Sequence, residues 1–273
     1  MAIVTISREL AALGDETAHE LAGILYYRFI DKKSLEEKMK LMGLTEQKLQ
    51  KFDERKPSFW ASLSQERDDY LHYLKSAVFS EASQGNCIFM GRGCGIMLRS
   101  IPGVLSVFLS APAGVRLERV KSYFYCDDKR AHQIIEQSDR DREGFHQYFF
   151  ETKWTDPENY QLMLNTGSLH PQLCAELIKT ALEKTFNKEI EISNTLRIKD
   201  LILGNHVVHH ILYAKKIPVH FLEATVDAGI VTLFGVANSL FVAEMAIQAA
   251  KEIPEASSVS SEIQILQEYS VGR

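Results

Sequence analysis

The first segment that could do chemistry is a polar run that follows a short β-branched stretch at 3–6. It begins with Ser7 and Arg8 and leads into helical spacing of apolar residues from about residue 15. A strand, a loop and a helix N-terminus in this order favour a phosphate, because the free amides and the helix dipole attract an anion. A working phosphate loop has two glycines, a lysine and a hydroxyl residue, whereas 7–17 has Gly14 as its one glycine and no lysine. The segment therefore has the position of a phosphate loop in the chain but not its sequence pattern.

Three arginines further along the chain could neutralise a phosphate or a transferring phosphoryl group. Arg92 follows a predicted strand, and Arg140 and Arg142 lie in a charged run that suits a lid. The alternative for Arg140 and Arg142 is a solvated helix face on which they pair with neighbouring carboxylates. Asp31 also has two interpretations, since it could orient a nucleotide or cap the helix that follows it.

Other chemically capable residues have plainer predicted roles. Arg116 and Arg119 are predicted to support a helix surface, and Trp154 and Tyr160 to pack around the last strand rather than stack on a base. The histidines at 206, 209 and 210 share one helix face, but the local spacing supplies no acidic or cysteine ligand beside them. The four cysteines are widely spaced without a C-x-x-C pair, so the sequence predicts neither a metal site nor a disulfide framework.

Length, composition and charge limit the class of protein. A chain of 273 residues suits two domains of about 100–200 residues each. Its 45% hydrophobic and 25% charged residues exclude a collagenous, disordered or membrane-embedded chain. The net charge of −5 provides no overall basic field, so no nucleic-acid partner is predicted. The N-terminus lacks a signal-peptide pattern, and the charge-free run 228–243 is shorter than the ~20 residues of a membrane span. We therefore predict a cytoplasmic protein with no transmembrane segment.

Short apolar runs alternate with helical spacing in the first part of the chain. Strands are predicted at 3–6, 27–30, 87–90, 104–109 and 162–166, and helices at 15–25, in a long region to about 83, from 115, and at 171–186. This alternation predicts an α/β fold with a five-stranded parallel sheet that helices cover on both faces.

The pattern changes after residue 186 to that of a small α+β unit. Its predicted elements are a helix at 196–214, strands at 217–225 and 226–234, a helix that Asn238 caps and that ends near 253, and a strand at 258–266. The predicted organisation is a first domain at 1–186, a polar linker at 187–195 and a second domain at 196–273.

Six segments of the first domain, taken together and in order, resemble the bacterial cytidylate-kinase-like family. They are TISRE at 5–9, FIDK at 29–32, MGRG at 90–93, VFL at 107–109 with the following AP at 111–112, DRDR at 139–142, and the region 160–166. The resemblance implies a P-loop nucleoside-monophosphate kinase, with a five-stranded parallel sheet, a helical region that closes over the acceptor, and an arginine-bearing lid. It implies phosphoryl transfer from a nucleoside triphosphate to a nucleoside monophosphate, with ATP and Mg²⁺ as cofactors. It also assigns residues: Arg140 and Arg142 would be the catalytic lid arginines, and the nucleotide would be bound by Ser7, Arg8, Ala11, Ala12, Gly14, Asp31 and Arg92.

The first loop departs most from the pattern that this resemblance implies, S-R-x-x-G-S-G-G-R. Ala11 and Leu13 stand at glycine positions, and Asp15 stands at the arginine position. A carboxylate in the first helical turn is itself favoured by the helix dipole by ~0.3–1 kcal/mol and repels a phosphate there. Leu13 does not easily adopt a positive φ. The alternative function is therefore a catalytically weakened kinase fold that acts as a nucleotide sensor or a regulatory binding protein.

Residues 196–267 resemble a BON domain, in which a glycine-bearing hairpin is joined to an alanine-rich helix. The residues that carry this resemblance are Val226, Gly229, Val231, Leu233, Gly235, Ala243, Ala246, Ala250, Ile253 and Val259. The resemblance implies a noncatalytic module that binds a ligand, a lipid or a protein partner, and the sequence leaves the identity of that ligand or partner open.

Overall fold

The computed structural model of the chain describes residues 2–51 and 65–266. The chain divides into two compact units, Met1–Asn194 and Thr195–Arg273. The predicted long helical region up to about residue 83 lies partly outside the described residues, at 52–64. Among the helices that the structure describes, none is both long and apolar enough to cross a membrane.

The first unit contains the predicted five-stranded parallel sheet. Its strands are β1 (Ile3–Arg8), β2 (Arg28–Ile30), β3 (Cys87–Met90), β4 (Val104–Ser110) and β5 (Leu162–Asn165), in the order β2-β3-β1-β4-β5. Every pairing is parallel, and β1 lies at the centre with β3 and β4 beside it. The prediction of a parallel α/β fold is confirmed.

Eight helices of the described residues belong wholly to this unit. They are α1 (Gly14–Leu25), α2 (Lys32–Leu41), α3 (Glu46–Lys51), α4 (Gln65–Ala82), α5 (Cys94–Met97), α6 (Ala113–Phe124), α7 (Asp128–Phe150) and α8 (Pro171–Thr185). A short 3₁₀ turn at Pro157–Asn159 precedes β5.

The central strand is buried on both faces because its side chains alternate between two helical layers. Val4 and Ile6 share one core with residues of α1 and α8 such as Leu21 and Ile178. On the opposite face the hydroxyl of Thr5 donates to Ser106 Oγ at 2.9 Å, close to α5. Burial on both faces explains why these strands are continuous apolar runs in the sequence.

The register brings the carboxyl ends of the three central strands together. Ile6 of β1 lies opposite Met90 of β3 and Val107 of β4, and the Gly91 amide donates to the Ile6 carbonyl at 2.9 Å. Residues that follow β1 and β3 therefore meet at one edge of the sheet, which is the edge where open α/β sheets bind ligands.

The second unit contains a three-stranded sheet with helices. The elements that contribute to it are α9 (Lys188–His209), which begins in the first unit, a π-helical turn (His210–Ala214), β6 (His220–Asp227), β7 (Ile230–Ala237), α10 (Leu240–Lys251) and β8 (Ser258–Ile265). The sheet order is β6-β7-β8, antiparallel between β6 and β7 and parallel between β7 and β8. Buried side chains from α9, the sheet and α10, among them Val207, Val231 and Ala246, form its own core.

Three local predictions in this part of the chain differ from the structure. The strands predicted at 217–225 and 226–234 lie at His220–Asp227 and Ile230–Ala237, because the hairpin turns at Ala228 and Gly229, both of which have a positive φ. The helix predicted to begin at 196 begins at Lys188, so most of the polar segment 187–195 is helical. The cap of α10 is Ser239 rather than Asn238, since the Ser239 backbone is extended and its hydroxyl accepts from the Val242 amide at 3.4 Å. Serine and asparagine are both strong cap residues, and the extended backbone decides between them.

Candidate functional site

The loop between β1 and α1 has a left-handed backbone at two positions that lack glycine. Ala11 has φ 61° and Leu13, the cap of α1, has φ 51° and ψ 36°. We expected Leu13 to resist a positive φ, and the structure shows that it adopts one. Each such residue costs ~1–2 kcal/mol relative to a right-handed conformation. The loop therefore keeps a conformation that suits glycine, under backbone strain.

The side chain of Arg8 fills the space beside this loop. A Cβ at Gly14 would lie 2.5 Å from Arg8 Cγ, and one at Gly91 would lie 2.8 Å from its Nη1. Both positions therefore need glycine while the arginine side chain passes them. Arg8 Nη2 lies 3.8 Å from Asp15 Oδ1, in the first turn of α1. Arg8, the cation next to the loop, is thus paired with a carboxylate of the helix that follows the loop.

Two arginines of α6 hold the same loop from the other side. Arg116 is 5% exposed and its Nε donates to the Leu10 carbonyl at 2.9 Å. Arg119 donates to the carbonyl oxygens of Ala11 at 2.9 Å and Thr166 at 2.7 Å. The prediction that both arginines support a helix surface is wrong for Arg116, whose side chain is buried. Hydrogen-bond acceptors of the loop and of a neighbouring helix balance its charge there.

A small pocket opens at the carboxyl ends of β1 and β3. Its lining residues are Ser7, Arg8, Gly91, Arg92, Arg142, Phe145, His146 and Trp154. Four of these belong to the predicted site: Ser7, Arg8, Arg92 and Arg142. The lining includes three guanidinium groups and no carboxylate, so the pocket suits an anion better than a cation.

Arg92 lies in the floor of this pocket. It has φ 54° between two left-handed glycines, Gly91 and Gly93, and is 4% exposed. Its Nη2 donates to Glu36 Oε1 at 3.0 Å and its Nη1 to the Tyr70 hydroxyl at 3.2 Å. The guanidinium carbon also lies 5.6 Å from the centre of the Phe145 ring. The arginine is therefore held in place before any ligand binds.

The two predicted lid arginines lie in different environments on α7. Arg142 lines the pocket, with its guanidinium carbon 6.0 Å from the Trp154 ring centre and a hydrogen bond from Nη1 to the Ser138 carbonyl at 3.2 Å. Arg140 does not line this pocket. Its side chain is 61% exposed and donates to Glu136 and Gln137 of its own helix. The solvated-face alternative thus describes Arg140, and the pocket position describes Arg142.

The remaining predicted residues lie outside the pocket. Ala11, Ala12 and Gly14 belong to the loop beside Arg8, and Ala12 is fully buried. Asp31 caps α2, and its Oδ1 accepts from the Ser34 amide at 2.8 Å and the Ser34 hydroxyl at 2.7 Å. Burial opposes the charged form of Asp31, but these hydrogen bonds hold its pKa below the ordinary value. Its capping role is visible directly.

The wall of the pocket next to β4 is aromatic. Trp154 and Tyr160 both pack on Phe108, with ring centres 5.4 and 5.0 Å away. The Tyr160 hydroxyl donates to the Trp154 carbonyl at 2.5 Å. Burial raises the pKa of Tyr160, and a hydrogen bond with Ser7 opposes this rise. Ser7 is therefore linked to the aromatic wall, and both aromatic residues pack as predicted.

Comparison with known proteins identifies the first domain. The sequence model of the cytidylate kinase-like family matches residues 3–168. The chain belongs to this family. A BON domain model matches residues 200–267. No curated protein matches the chain.

Solved structures resemble the fold. An uncharacterized protein from Eubacterium ventriosum is 18% identical, with a TM-score of 0.53, over 67% of this chain and 99% of that one. YorR from Bacillus subtilis, in complex with phosphorylated GDP, is 14% identical with a TM-score of 0.38, over 67% and 96%. Shikimate kinase from Aquifex aeolicus is 16% identical with a TM-score of 0.36, over 67% and 96%. At 18% identity the first match supports the fold alone. The other two have TM-scores too low to support a conclusion about this chain.

The residues of this family member do not fit ATP and Mg²⁺ in the way of a standard phosphate loop. When the second glycine of the pattern G-x-x-x-x-G-K-[ST] is placed at Gly14, Asp15 stands at the lysine position and Glu16 at the hydroxyl position. Asp15 is paired with Arg8, and Glu16 accepts from the Tyr123 hydroxyl at 3.3 Å. The hydroxyl of Thr17 is buried and donates to the Leu13 carbonyl at 2.7 Å. The loop therefore lacks the lysine and the hydroxyl of that pattern at their expected positions, and Arg8, the cation beside it, is paired with Asp15.

Sequence reasoning did not assign Arg116 or His146 to the site. A signal for His146 was present, because Arg142, Phe145, His146 and Phe149 follow helical spacing and share the inner face of α7. The role of Arg116 had a weaker signal in its i, i+4 spacing with the apolar Val120. Its partners Glu9 and Asp139 come from distant segments, so their proximity depends on the fold.

Proposed function

We propose that the first domain binds the phosphate of a nucleotide and is a weak or inactive phosphotransferase. The phosphate would lie in the pocket lined by Arg8, Arg92 and Arg142, which we call the arginine pocket. The observation that carries this proposal is the reversed charge of the donor loop, where Asp15 pairs with Arg8 at 3.8 Å. The acceptor side keeps Arg92 and Arg142 around a carboxylate-free pocket. Phosphoryl transfer depends on positioned positive charge at both sides, and here only one side provides it.

The residues of the pocket would act by binding and orientation. Arg142 would contribute a guanidinium to a bound phosphate, and Trp154 beside it would exclude water from one side. Arg92 would keep the floor of the pocket rigid, since its own fork is fixed by Glu36 and Tyr70. Ser7 would offer a hydroxyl at the end of β1. This arrangement supports a nucleotide sensor or regulatory binding protein.

A second candidate is an active nucleoside-monophosphate kinase with ATP and Mg²⁺ as cofactors. The left-handed backbone at Ala11 and Leu13 favours it, because the loop keeps the local conformation that glycine would adopt. In this case Arg142 would be the lid residue that neutralises the transferring group. The exposed Asp15 side chain would have to turn away from Arg8.

For the second domain we propose a noncatalytic binding module at 196–273, joined to the first domain by 187–195. Exposed apolar side chains at the start of α10, Leu240 and Phe241, and after β8, Leu266, support a binding role. The cytoplasmic location stays a prediction.

Calorimetric titration and turnover assays on the full chain separate these functions. CMP and ATP would each be titrated to millimolar concentration with and without Mg²⁺, and nucleotide products would be measured with a panel of monophosphates. CMP binding with turnover no higher than a no-enzyme control supports the sensor. Turnover clearly above that control supports the kinase. Absence of binding by every nucleotide at millimolar concentration overturns both proposals.

A further inference from the structure

Arg116 is the buried centre of a cluster that joins two parts of the first unit. Its Nη1 donates to Glu9 Oε1 at 3.1 Å, and its Nη2 donates to both carboxylate oxygens of Asp139, at 2.7 and 2.9 Å. Its Nε donates to the Leu10 carbonyl at 2.9 Å. We call Arg116, Glu9 and Asp139 the Arg116 cluster. The guanidinium therefore uses all three nitrogens, and two carboxylates face one cation.

The partners of Arg116 come from two segments that each contribute residues to the pocket, the end of β1 with its following loop and α7. Glu9 and Leu10 open the loop that follows β1, and the other carboxylate oxygen of Glu9 accepts from the Ala111 amide at 3.0 Å. Asp139 lies on α7, three residues and so about one helical turn before Arg142. The loop and the helix that carries Arg142 are thus bonded to the same side chain.

The geometry suits a rigid connection. Three different nitrogens of one planar guanidinium hold Glu9, Asp139 and the Leu10 carbonyl, and the rigid fork of donors relates the directions of these hydrogen bonds to one another. Arg116 is buried, so water cannot replace a lost partner at little cost. A shift of α7 would therefore disturb the pair, and the loop carbonyl at Leu10 would lose a firmly held donor.

We propose that Arg116 is a positioning residue that couples the β1–α1 loop to α7, so that the loop conformation and the place of Arg142 depend on each other. The coupling itself is a property of the fold. Its effect on ligand binding rests on the proposed function, because that effect requires phosphate binding in the arginine pocket.

Asp139→Asn in the full chain tests the coupling, since it keeps the size of the side chain and removes its charge. Backbone amide exchange of residues 9–13 should rise about tenfold, and CMP affinity should fall about tenfold, within the usual range of coupling between sites. Asp141→Asn is the matched control on the same helix, because Asp141 bonds to Gln137 rather than Arg116. It should change both quantities less than twofold. Asp139→Glu, which keeps the carboxylate, should restore most of the loop protection.

The two readouts distinguish failure of the coupling from failure of the proposed function. If exchange rises in α7 alone while residues 9–13 stay protected, the coupling is wrong. If the loop responds but wild-type protein binds no CMP, the coupling stands and the proposed function fails. Should Asp139→Asn not fold, Arg116→Lys replaces it, because lysine keeps the charge but has one nitrogen and cannot hold the loop and α7 through separate donors of a rigid fork. Unchanged loop exchange in that variant would equally contradict the coupling.

Discussion

At the scale of single residues, the β1–α1 loop combines a backbone shape that suits glycine with a carboxylate beside its arginine. Ala11 and Leu13 adopt left-handed angles that glycine would adopt without strain. Asp15 introduces a carboxylate beside Arg8 and at the positive end of the helix dipole. The shape of the loop thus permits an anion, and its charge opposes one. Charge is therefore the property to change in a test of donor binding.

Asp15→Arg should strengthen ATP binding by about 3- to 30-fold. Reversing a charge at a helix N-terminus changes the interaction with an anion by roughly twice the 0.3–1 kcal/mol of one charge. The substitution also releases Arg8 from its pair. The measurement is calorimetric titration of ATP. Glu20→Arg makes the same charge change further along α1, where Glu20 bonds to Gln172, and should have little effect. Equal gains in both variants would assign the effect to net charge rather than to the loop.

Substitutions of Arg142, which lines the pocket, and of Arg140, which does not, give a matched test of the pocket. Arg142→Gln should weaken CMP binding at least about tenfold, because a charge-assisted hydrogen bond contributes roughly 1.5–3 kcal/mol. Arg140→Gln should change CMP affinity less than twofold, since its side chain bonds only within its own exposed helix face. Titration calorimetry gives both affinities, with thermal unfolding as a check of folding. Similar losses in both variants would contradict the assigned pocket.

The sequence separated these residues only in part. Arg142 and the apolar side chains of Phe145 and Phe149 follow helical spacing, which indicates that Arg142 shares the inner face of α7. The sequence also shows that an arginine stands at position 116, but local patterns do not reveal that Glu9 and Asp139 both bond to it in the fold. Such contacts between distant segments depend on how α6 and α7 pack, which local patterns do not determine.

At the scale of elements, periodicity predicted the sheet well and the helix ends less well. β3 has the predicted bounds of 87–90, because a buried parallel strand is a compact apolar run between polar turns. The start of α9 at Lys188 was missed, since its first turns are polar and expose Ile192. Residues of good helix propensity can form the first turns of a helix without the apolar periodicity by which its start is predicted from the sequence.

The short edge strand β2 depends on an ion cluster that spans three elements. Arg28 of β2 donates to Glu81 of α4 at 2.5 Å, and Lys38 of α2 lies 3.1 Å from the same carboxylate. Burial of Glu81 opposes its charged form, but hydrogen bonds from Arg28 and Lys38 outweigh it and lower the pKa of the carboxyl. The carboxylate therefore ties β2 and α2 to α4.

Glu81→Gln should lower the free energy of unfolding by about 1–2 kcal/mol at neutral pH, because it leaves two cations without their carboxylate. The folded pKa of Glu81 is lowered, so its contribution is present above the unfolded pKa and is lost as the pH falls through the folded pKa. Wild type and variant should converge in acid, which urea unfolding at several pH values would show. The exposed pair Lys40–Glu46 supplies the control, and Glu46→Gln should cost less than about 0.5 kcal/mol. A difference that stays constant down to strongly acidic pH would contradict the role of the charge.

At the scale of the whole molecule, the described residues of each compact unit include a hydrophobic core that shares no residue with the core of the other unit. Val107 of β4 is buried in the core between the parallel sheet, α1 and α8. Val231 of β7 is buried in the core of the three-stranded sheet. Each valine is fully inaccessible to solvent, and the two compact units divide between Asn194 and Thr195. Matched substitutions can therefore report on each core by itself.

Calorimetric unfolding of the full chain should show two transitions that respond to different substitutions. Val107→Ala and Val231→Ala each remove the same two methyl groups from a buried site, at a cost of about 1–3 kcal/mol. A loss of this size shifts the melting temperature of the affected domain by several degrees, and by more in the smaller domain. Val107→Ala should lower one transition and Val231→Ala the other. If each substitution moved both transitions equally, the cores would unfold as one unit, and any ligand that stabilises the arginine pocket would then stabilise the BON domain as well.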